Sequence, residues 1–529
     1  MKQQSFPCFN ENIKSIVFII IPLILSGFTH LYNPIGFPAF HPDEGVYLRR
    51  SLHVSSGLGP QDDSSKFDHS QESNSSYDHP FFGQLLLGGI FYIIGFPSIT
   101  HPSPSSASIE LIYTVPRIIV GIFSILDTYL LYRICEQRYD RKVALVSAIL
   151  FAVMPLTWYT RRIVLDSILL PLVLGSLFIA LKVQVKGNWQ TTFCLISGIL
   201  MGLAIFTKIP AFTFIPVFLF LFLSPKMKYP FFEKKNLKYL AIWILPVIFI
   251  PLIWPIYSLG VGQFDQWLDG VLWQGTERHN EGRSLIDTLN VFWISDPLLL
   301  ILGTIGIGYC ALRKDIVPLL WVLPYLAFLF FVGWVTHFHM ILIIPPFCLA
   351  IGNLIVDLPR FIKLKYSSII SVATILVLGI FALIATSMLI STNVSTAQFK
   401  GIEYVAKNTV YQNNSLNNND ITIISSPAYS WLFKYVFNND HTFSHDRDTQ
   451  AIKTPKVILV VDSTFKHVIS MEEGENSTQI QRLNNIYNNT QLRAIFKGDT
   501  GSYDREVYPY TAINSANIGS RTEEIRFNY

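Results

Sequence analysis

A chain of 529 residues that is 50% hydrophobic and only 14% charged, with its apolar residues gathered in long blocks, is not an ordinary cytosolic enzyme built on short core alternations. The net charge of +4 is small, but lysine and arginine collect in alternate loops. That is the pattern of a chain threaded through a membrane, and nothing in it points to nucleic-acid binding.

The first apolar block, Ile16 to Leu31, follows Lys2 and Lys14. No small-residue cleavage site comes after it and many further blocks do, so it reads as an uncleaved first span rather than a signal peptide. Eleven more candidates lie at about 80–97, 111–133, 143–158, 166–182, 191–207, 209–224, 238–258, 297–312, 316–333, 340–357 and 367–391. Each approaches the roughly 20 apolar residues with which a helix satisfies its own backbone in lipid. Cationic loops occur at Arg133/Arg138/Arg141/Lys142, Lys182/Lys186, Lys226 to Lys238, Arg313/Lys314 and Arg360/Lys363/Lys365, and the positive-inside rule puts them in the cytoplasm. With the N-terminus also inside, residues 32–110 begin and end outside. The block at 80–97 is then expected to be a juxtamembrane or re-entrant helix, leaving about eleven transmembrane helices. N-glycosylation sequons at Asn74, Asn393, Asn413, Asn476 and Asn488 all fall on the outer side of this scheme.

The expected architecture is thus a polytopic α-helical membrane module over 1–391, with large outer loops at 32–110 and 259–296, followed by an extracytoplasmic soluble α/β domain over 392–529. In that domain Ile421 to Ser425 and Val457 to Val461 read as buried strands, and Phe399 to Lys407 and Ser430 to Phe437 as amphipathic helices. No Gly-rich phosphate loop accompanies the strands. The five cysteines (Cys8, Cys135, Cys194, Cys310, Cys348) lie in spans or on the cytoplasmic side, which argues against a disulfide framework.

Ionisable groups near membrane depth need a reason. The densest group is His41-Pro42-Asp43-Glu44-Gly45-Val46-Tyr47, just after the first span. A carboxylate there is either a partly desolvated general base or an acidic helix N-terminus. Tyr77-Asp78-His79-Pro80 opens the juxtamembrane block. Arg161-Arg162, with Asp166 close behind, stands on the outer side against the charge bias; it serves either to hold an anion or to snorkel to headgroups. Lys208 interrupts two apolar runs and admits the same two readings. His41, His53, His69 and His79 with nearby carboxylates lack a regular ligand spacing, so no metal or other cofactor is expected to be required. A transporter of a lipid-linked or small solute would also use such residues, but no internal repeat or pair of broken midplane helices marks one.

These residues together resemble the GT-C class of lipid-linked-sugar glycosyltransferases, in particular the protein O-mannosyltransferase and aminoarabinose transferase superfamily. The likeness rests on Asp43-Glu44 after the first span, His79-Pro80 before an apolar helix, Pro116-Arg117 opening the next span, Arg162 with Asp166, and Lys208, and covers about 16–225. It implies transfer of a sugar from a dolichyl- or undecaprenyl-type phosphate to a protein or glycolipid acceptor on the outer face of a plasma or ER-like membrane. Asp43 matches the catalytic acidic position, where a general base would drive inverting displacement. Arg162, Lys208 and Arg117 are implied phosphate contacts, and Asp166, with Glu44, completes the acidic set. Tyr47, His79, Arg278, His279 and His339 are further candidate substrate contacts. The polar insertion Gln61 to Ser76 and the stretch Phe81-Phe82-Gly83-Gln84 depart from the best-known members, which bears on the acceptor more than on the reaction.

Overall fold

The computed structural model describes residues 9–60, 77–96, 105–183, 189–223, 234–277, 284–333, 335, 337–411, 421–445, 455–470, 477–498 and 522–529. Arg278, His279, Cys8 and the sequons at Asn74, Asn413 and Asn476 lie outside the described residues.

The chain is a polytopic helical membrane protein. A first helix α1 (Phe9–Leu31) leads into two helices short enough to lie along a bilayer surface, α2 (Pro42–Ser55) and α3 (Phe82–Ile93). At 1.5 Å per residue, the 12 residues of α3 cover only about 18 Å, well under the ~30 Å of a hydrocarbon core. The bundle continues with α4 (Ser106–Arg138), α5 (Arg141–Val153), α6 (Leu165–Val183), α7 (Gln190–Thr207), α8 (Ile215–Leu223), α9 (Lys234–Phe249) and α10 (Ile253–Gly260). Two short helices, α11 (Phe264–Leu272) and α12 (Leu285–Ser295), come next; α13 (Pro297–Leu312), α14 (Val317–Val332), α15 (Ile344–Phe361) and α16 (Ser367–Ile390) complete the bundle. Among the described residues, six helices are long and apolar enough to cross a membrane, or seven if one bent pair counts as a single span.

Several expected spans are broken rather than straight. Pro155 cannot continue α5, so Met154 turns extended and a 3-10 segment, Pro155–Arg161, departs at 69°. Lys208 likewise leaves α7 in an extended conformation before a second 3-10 segment, Ile209–Phe214. A third, His337–Leu342, precedes α15. Close helix contacts need small residues: a Cβ on Gly198 would meet Pro246 Cγ of α9 at 2.7 Å, and one on Gly202, four residues on, would meet Pro246 O at 2.5 Å. At the end of the bundle away from the 3-10 segments, Arg138 pairs with Asp315, Arg360 with Asp140 and Arg313 with Asp357, tying together the connections α4–α5, α13–α14 and α15–α16.

After α16 come α17 (Thr396–Ala406), β1 (Ile421–Ser425), β2 (Thr442–Ser444), β3 (Lys456–Val461), α18 (Ser463–Ile469), α19 (Ser477–Asn488), β4 (Gln491–Lys497) and β5 (Thr522–Phe527). The sheet order is β2-β1-β3-β5-β4, parallel for β1 with β2 and β3, antiparallel for β3–β5 and β5–β4. Alternation along β3 sends Val457, Leu459 and Val461 to a core with Phe465 of α18 and Leu483 of α19. Ile458 and Val460 face the other way and join the core that runs through α17 into the bundle. Burial on both faces explains the unbroken apolar run Val457 to Val461. The stretch expected as a helix over 430–437 is a π-helical turn, Leu432–Val436.

Candidate active site

The loop after α1 is pinned before it reaches the site. Asn33 Nδ2 donates to Ile390 O at 3.0 Å and Thr392 O at 2.8 Å at the end of α16. Phe37, Ala39 and Phe40 are then buried, and Pro42 opens α2 at the position where its missing N–H costs nothing. A reciprocal cap fixes the helix start: the Asp43 N–H donates to His41 Nδ1 at 3.3 Å and the His41 N–H to Glu44 Oε2 at 3.2 Å. Burial lowers the His41 pKa, which suits a ring nitrogen that accepts.

At 3.6 residues per turn α2 presents three faces, each with its own partner. Asp43, Tyr47 and Arg50 share one. Asp43 is half-buried, Tyr47 faces the His79 ring at 6.4 Å, and Arg50 Nη1 donates to Asp78 Oδ1 at 2.7 Å. Burial, with the charges of Asp43 and Asp78, pushes the Tyr47 phenol well above its ordinary pKa and keeps it a donor. Burial also acts to raise Asp78, but Arg50 and the backbone N–H of His79 hold it below the usual carboxylate range.

Glu44 lies on the second face, fully buried. It accepts from Arg117 Nη2 at 2.9 Å, Arg117 Nε at 3.2 Å, Arg162 Nη1 at 3.3 Å and the Ile163 N–H at 3.2 Å. Burial alone would raise its pKa, yet Arg117 and Arg162 more than offset this and the carboxyl stays below its usual range. Arg117 further donates to Pro34 O at 2.9 Å and Arg162 to Ala39 O at 2.8 Å. Glu44 thus ties α2, α4, the first loop and the segment after Pro155–Arg161 at one point. Gly45 and Arg49 form the third face, turned to the C-terminal domain.

The 3-10 breaks supply the cations. Arg161, almost wholly buried, donates to Tyr32 O and, at 3.1 Å, to Asn33 O; Arg162 stacks its guanidinium 5.1 Å from the Trp158 ring centroid. Lys208 Nζ donates to Asp166 Oδ2 at 2.7 Å and lies 5.2 Å from the Phe338 ring, which meets the His41 ring edge-on at 5.6 Å. Asp166 Oδ1 is buried without a hydrogen-bond partner among the described residues. His339, beside Phe338, is buried, and its carbonyl accepts from Tyr325 Oη at 2.9 Å. Asp43 is near enough to bias His41, Tyr47, Arg162 and Asp166 electrostatically.

The structure therefore gathers Asp43, Glu44, Tyr47, His79, Arg117, Arg162, Asp166, Lys208 and His339 at one end of the bundle. Among the described residues no three His, Cys, Asp or Glu side chains group closely enough to hold a metal ion; here carboxylates are matched with cations. Sequence reasoning missed the Arg50–Asp78 pair, although Arg50 is seven residues past Asp43 on the same helical face. Between α3, α4, α6 and α7, an apolar cavity of about 350 Å³, open to the surroundings of the bundle, is lined by residues including Leu86, Phe123, Ile168, Gly175 and Leu200. Ile168 stands two residues past Asp166 on α6, and Leu200 about two turns below Lys208 along α7.

Comparison with known proteins bears on the fold. Residues 110–254 match the family described as dolichyl-phosphate-mannose-protein mannosyltransferase. The structure is similar to that of ArnT from Cupriavidus metallidurans bound to undecaprenyl phosphate, at TM-score 0.51 and 12% identity over 97% of this chain and 98% of that one. This is a GT-C fold. A second GT-C structure, the oligosaccharyltransferase AglB from Archaeoglobus fulgidus in complex with an inhibitory peptide and a dolichol-phosphate, matches at TM-score 0.54 and 13% identity, over 95% of this chain and 76% of that one. No curated relative matches the sequence. Within this fold α2 and α3 lie between α1 and α4, and the site sits where they meet α4 and the chain breaks that flank α6 and follow α7.

Proposed function

We propose that this GT-C chain is a membrane glycosyltransferase that moves a sugar from a polyprenyl-phosphate donor to a hydroxyl acceptor on a protein or glycolipid, at the outer membrane face and with inversion. The observation that carries this reading is one juxtaposition. A half-buried carboxylate, Asp43, shares one end of the bundle with the buried Arg162 and the Lys208–Asp166 pair, and an open apolar cavity along α6 begins at Ile168, two residues past Asp166.

In the proposed reaction Asp43 takes the proton of the acceptor hydroxyl as its oxygen attacks the anomeric carbon. The bond from that carbon to the phosphate oxygen breaks on the opposite face, and polyprenyl phosphate leaves with the electron pair. Lys208, held by Asp166, and Arg162 stabilise the charge gathering on the phosphate. Arg117 is fully engaged by Glu44 and Pro34 O, so this reading gives Arg117 and Glu44 the task of fixing α2 rather than of touching donor. The isoprenoid tail runs into the apolar cavity beneath Asp166. Tyr47 and His79 border the acceptor side.

The test supplies membranes with a radiolabelled polyprenyl-phosphate sugar and follows labelled product. Asp43→Asn keeps shape and an acceptor oxygen but cannot take up a proton at neutral pH, so turnover is expected to fall about 10²–10⁴-fold with donor binding retained. Near-normal turnover in correctly inserted Asp43→Asn protein removes the base assignment. No product from wild type with any polyprenyl-phosphate sugar removes the transferase reading.

A further inference from the structure

The third face of α2 meets the C-terminal domain rather than lipid or solvent. Trp431 Nε1 donates to Tyr113 Oη of α4 at 3.1 Å. The same indole lies against Gly45, so close that a Cβ there would fall 2.6 Å from Trp431 Cδ1 and closer still to Nε1. One turn further along both segments, the Arg49 guanidinium sits 4.7 Å from the Tyr435 ring. Gly45 and Arg49 are four apart on α2, and Trp431 and Tyr435 four apart on the facing turn, so the two run together as a seam. Ahead of the helix, the Phe40 N–H donates to Gln398 Oε1 of α17 at 3.1 Å, and the Phe40 ring packs on Phe399 at 4.6 Å and Tyr429 at 6.2 Å. Tyr113 is one turn before Arg117, which grips Glu44.

We infer that the C-terminal domain is a brace for the active-site helix, with Trp431 as the positioning residue that sets where α2 holds Asp43. This rests on the transferase reading for its kinetic consequence but not for its geometry. Glu44 fixes α2 on one face at its first turn, and Arg50 ties a second face to Asp78 near the other end of the helix. The Trp431–Gly45 contact holds the remaining face beside Asp43, and with the other two it fixes the direction of that carboxylate. The absence of a side chain at Gly45 is what lets an indole approach the helix backbone. A misplacement of about 1 Å between a base and its substrate is enough to cost on the order of 10²-fold in rate.

The experiment uses full-length protein in detergent or nanodiscs and two readouts. In the first, hydrogen exchange of the α2 amides is followed without any substrate. Trp431→Ala is expected to accelerate exchange over 45–50 while leaving α6 and α7 unchanged; unaltered exchange in α2 overturns the brace whatever the reaction. In the second, steady-state kinetics with the lipid donor are expected to show kcat down about ten- to hundredfold in Trp431→Ala and in Gly45→Ala, with donor KM nearly constant. Because the added Cβ collides with the indole, Gly45→Ala combined with Trp431→Leu is expected to recover part of the loss seen in Gly45→Ala alone. A purely structural contact lowers yield and thermal stability but leaves kcat per folded molecule intact, and that result, or losses that simply add, removes the positioning role. Wild-type protein that turns over no donor, with α2 exchange still accelerated by Trp431→Ala, defeats the transferase reading and leaves the brace standing.

Discussion

Lys208 Nζ and Asp166 Oδ2 are 2.7 Å apart, and both side chains are almost wholly buried. Removing either partner strands a charge, at a cost of about 3–5 kcal/mol, whereas removing both leaves no charge to strand. Lys208→Ala and Asp166→Ala are each expected to lower the melting temperature, and the double variant to regain most of it. Donor KM is expected to rise roughly tenfold or more both in Lys208→Ala and in the double variant, the scale of one lost charge-assisted contact at 1.5–3 kcal/mol. A double variant with normal donor KM would show that the lysine serves only to neutralise Asp166.

Glu44 answers to pH in a defined direction. Burial acts to raise its pKa, but Arg117 and Arg162 hold the folded-state carboxyl below its unfolded value. The stability it contributes is therefore full above the unfolded carboxylate pKa and is lost as pH falls through the lowered folded value. Glu44→Gln leaves Arg117 and Arg162 without their counter-charge and is expected to cost about 3–5 kcal/mol at neutral pH. Its acid limb is expected to be shallower than that of wild type, with the residual slope coming from Asp78, whose pKa is also lowered. Melting curves from pH 7 down to pH 3 check both; equal acid slopes in the two proteins would contradict the assignment.

Gly175 lines the apolar cavity, and a Cβ placed on it meets only Leu200 Cδ1, at an ordinary 3.5 Å. A larger side chain therefore grows into the cavity without disturbing the backbone. If the donor's tail occupies this space, Gly175→Leu raises KM for a long polyprenyl-phosphate sugar several-fold and leaves KM for a short-chain analogue unchanged. The ratio of the two is the measurement. An unchanged ratio would hand the cavity to an acyl chain of the bilayer.

In the C-terminal domain Glu523 is fully buried, with Tyr429 Oη donating to Oε2 at 3.0 Å and Oε1 lacking a hydrogen-bond partner among the described residues. Burial, followed by the nearby Asp462 charge, pushes its pKa well above the carboxylate range. An acid that keeps its proton longer when folded makes stability fall as pH rises from the unfolded pKa to the folded one. Glu523→Gln, which keeps the acceptor for Tyr429, is expected to be the more stable protein at pH 7 and to flatten that decline. A variant less stable than wild type at pH 7 would mean that Glu523 is charged in the fold.

How much of this was legible beforehand differs by residue. Long apolar runs carry their own evidence, so the helical bundle and strands β1 and β3 were readable from hydrophobic period alone. The breaks were harder: Pro155 and Lys208 sit inside continuous hydropathy, and only the backbone rule for proline hints that α5 stops at Val153. In the amphipathic stretch 430–437 the period fitted a helix, and the chain there is helical, widened to a π-turn over Leu432–Val436. Strands β4 and β5 pair with an antiparallel register that no local signal encodes. At the site, Asp43 and Glu44 looked alike as adjacent acids. What separates them is which face of α2 each occupies, and that depends on Arg117 and Arg162, 73 and 118 residues away in the chain.

The lengths of α13 and α14 bear on the lipid around the site. Each has 16 residues, about 24 Å of helix against a hydrocarbon core of ~30 Å, and Ile305 and Phe331 show that both expose apolar side chains to the surroundings. A hydrophobic mismatch of this size is relieved by thinning the adjacent leaflets, at fractions of a kcal/mol per ångström. In the proposed reaction, thinning of this kind beside the segment His337–Leu342, whose Phe338 ring lies 5.2 Å from Lys208 Nζ, would lower the plane of lipid phosphates and bring that of a carrier diffusing in the leaflet closer to the depth of the lysine before any protein contact is made.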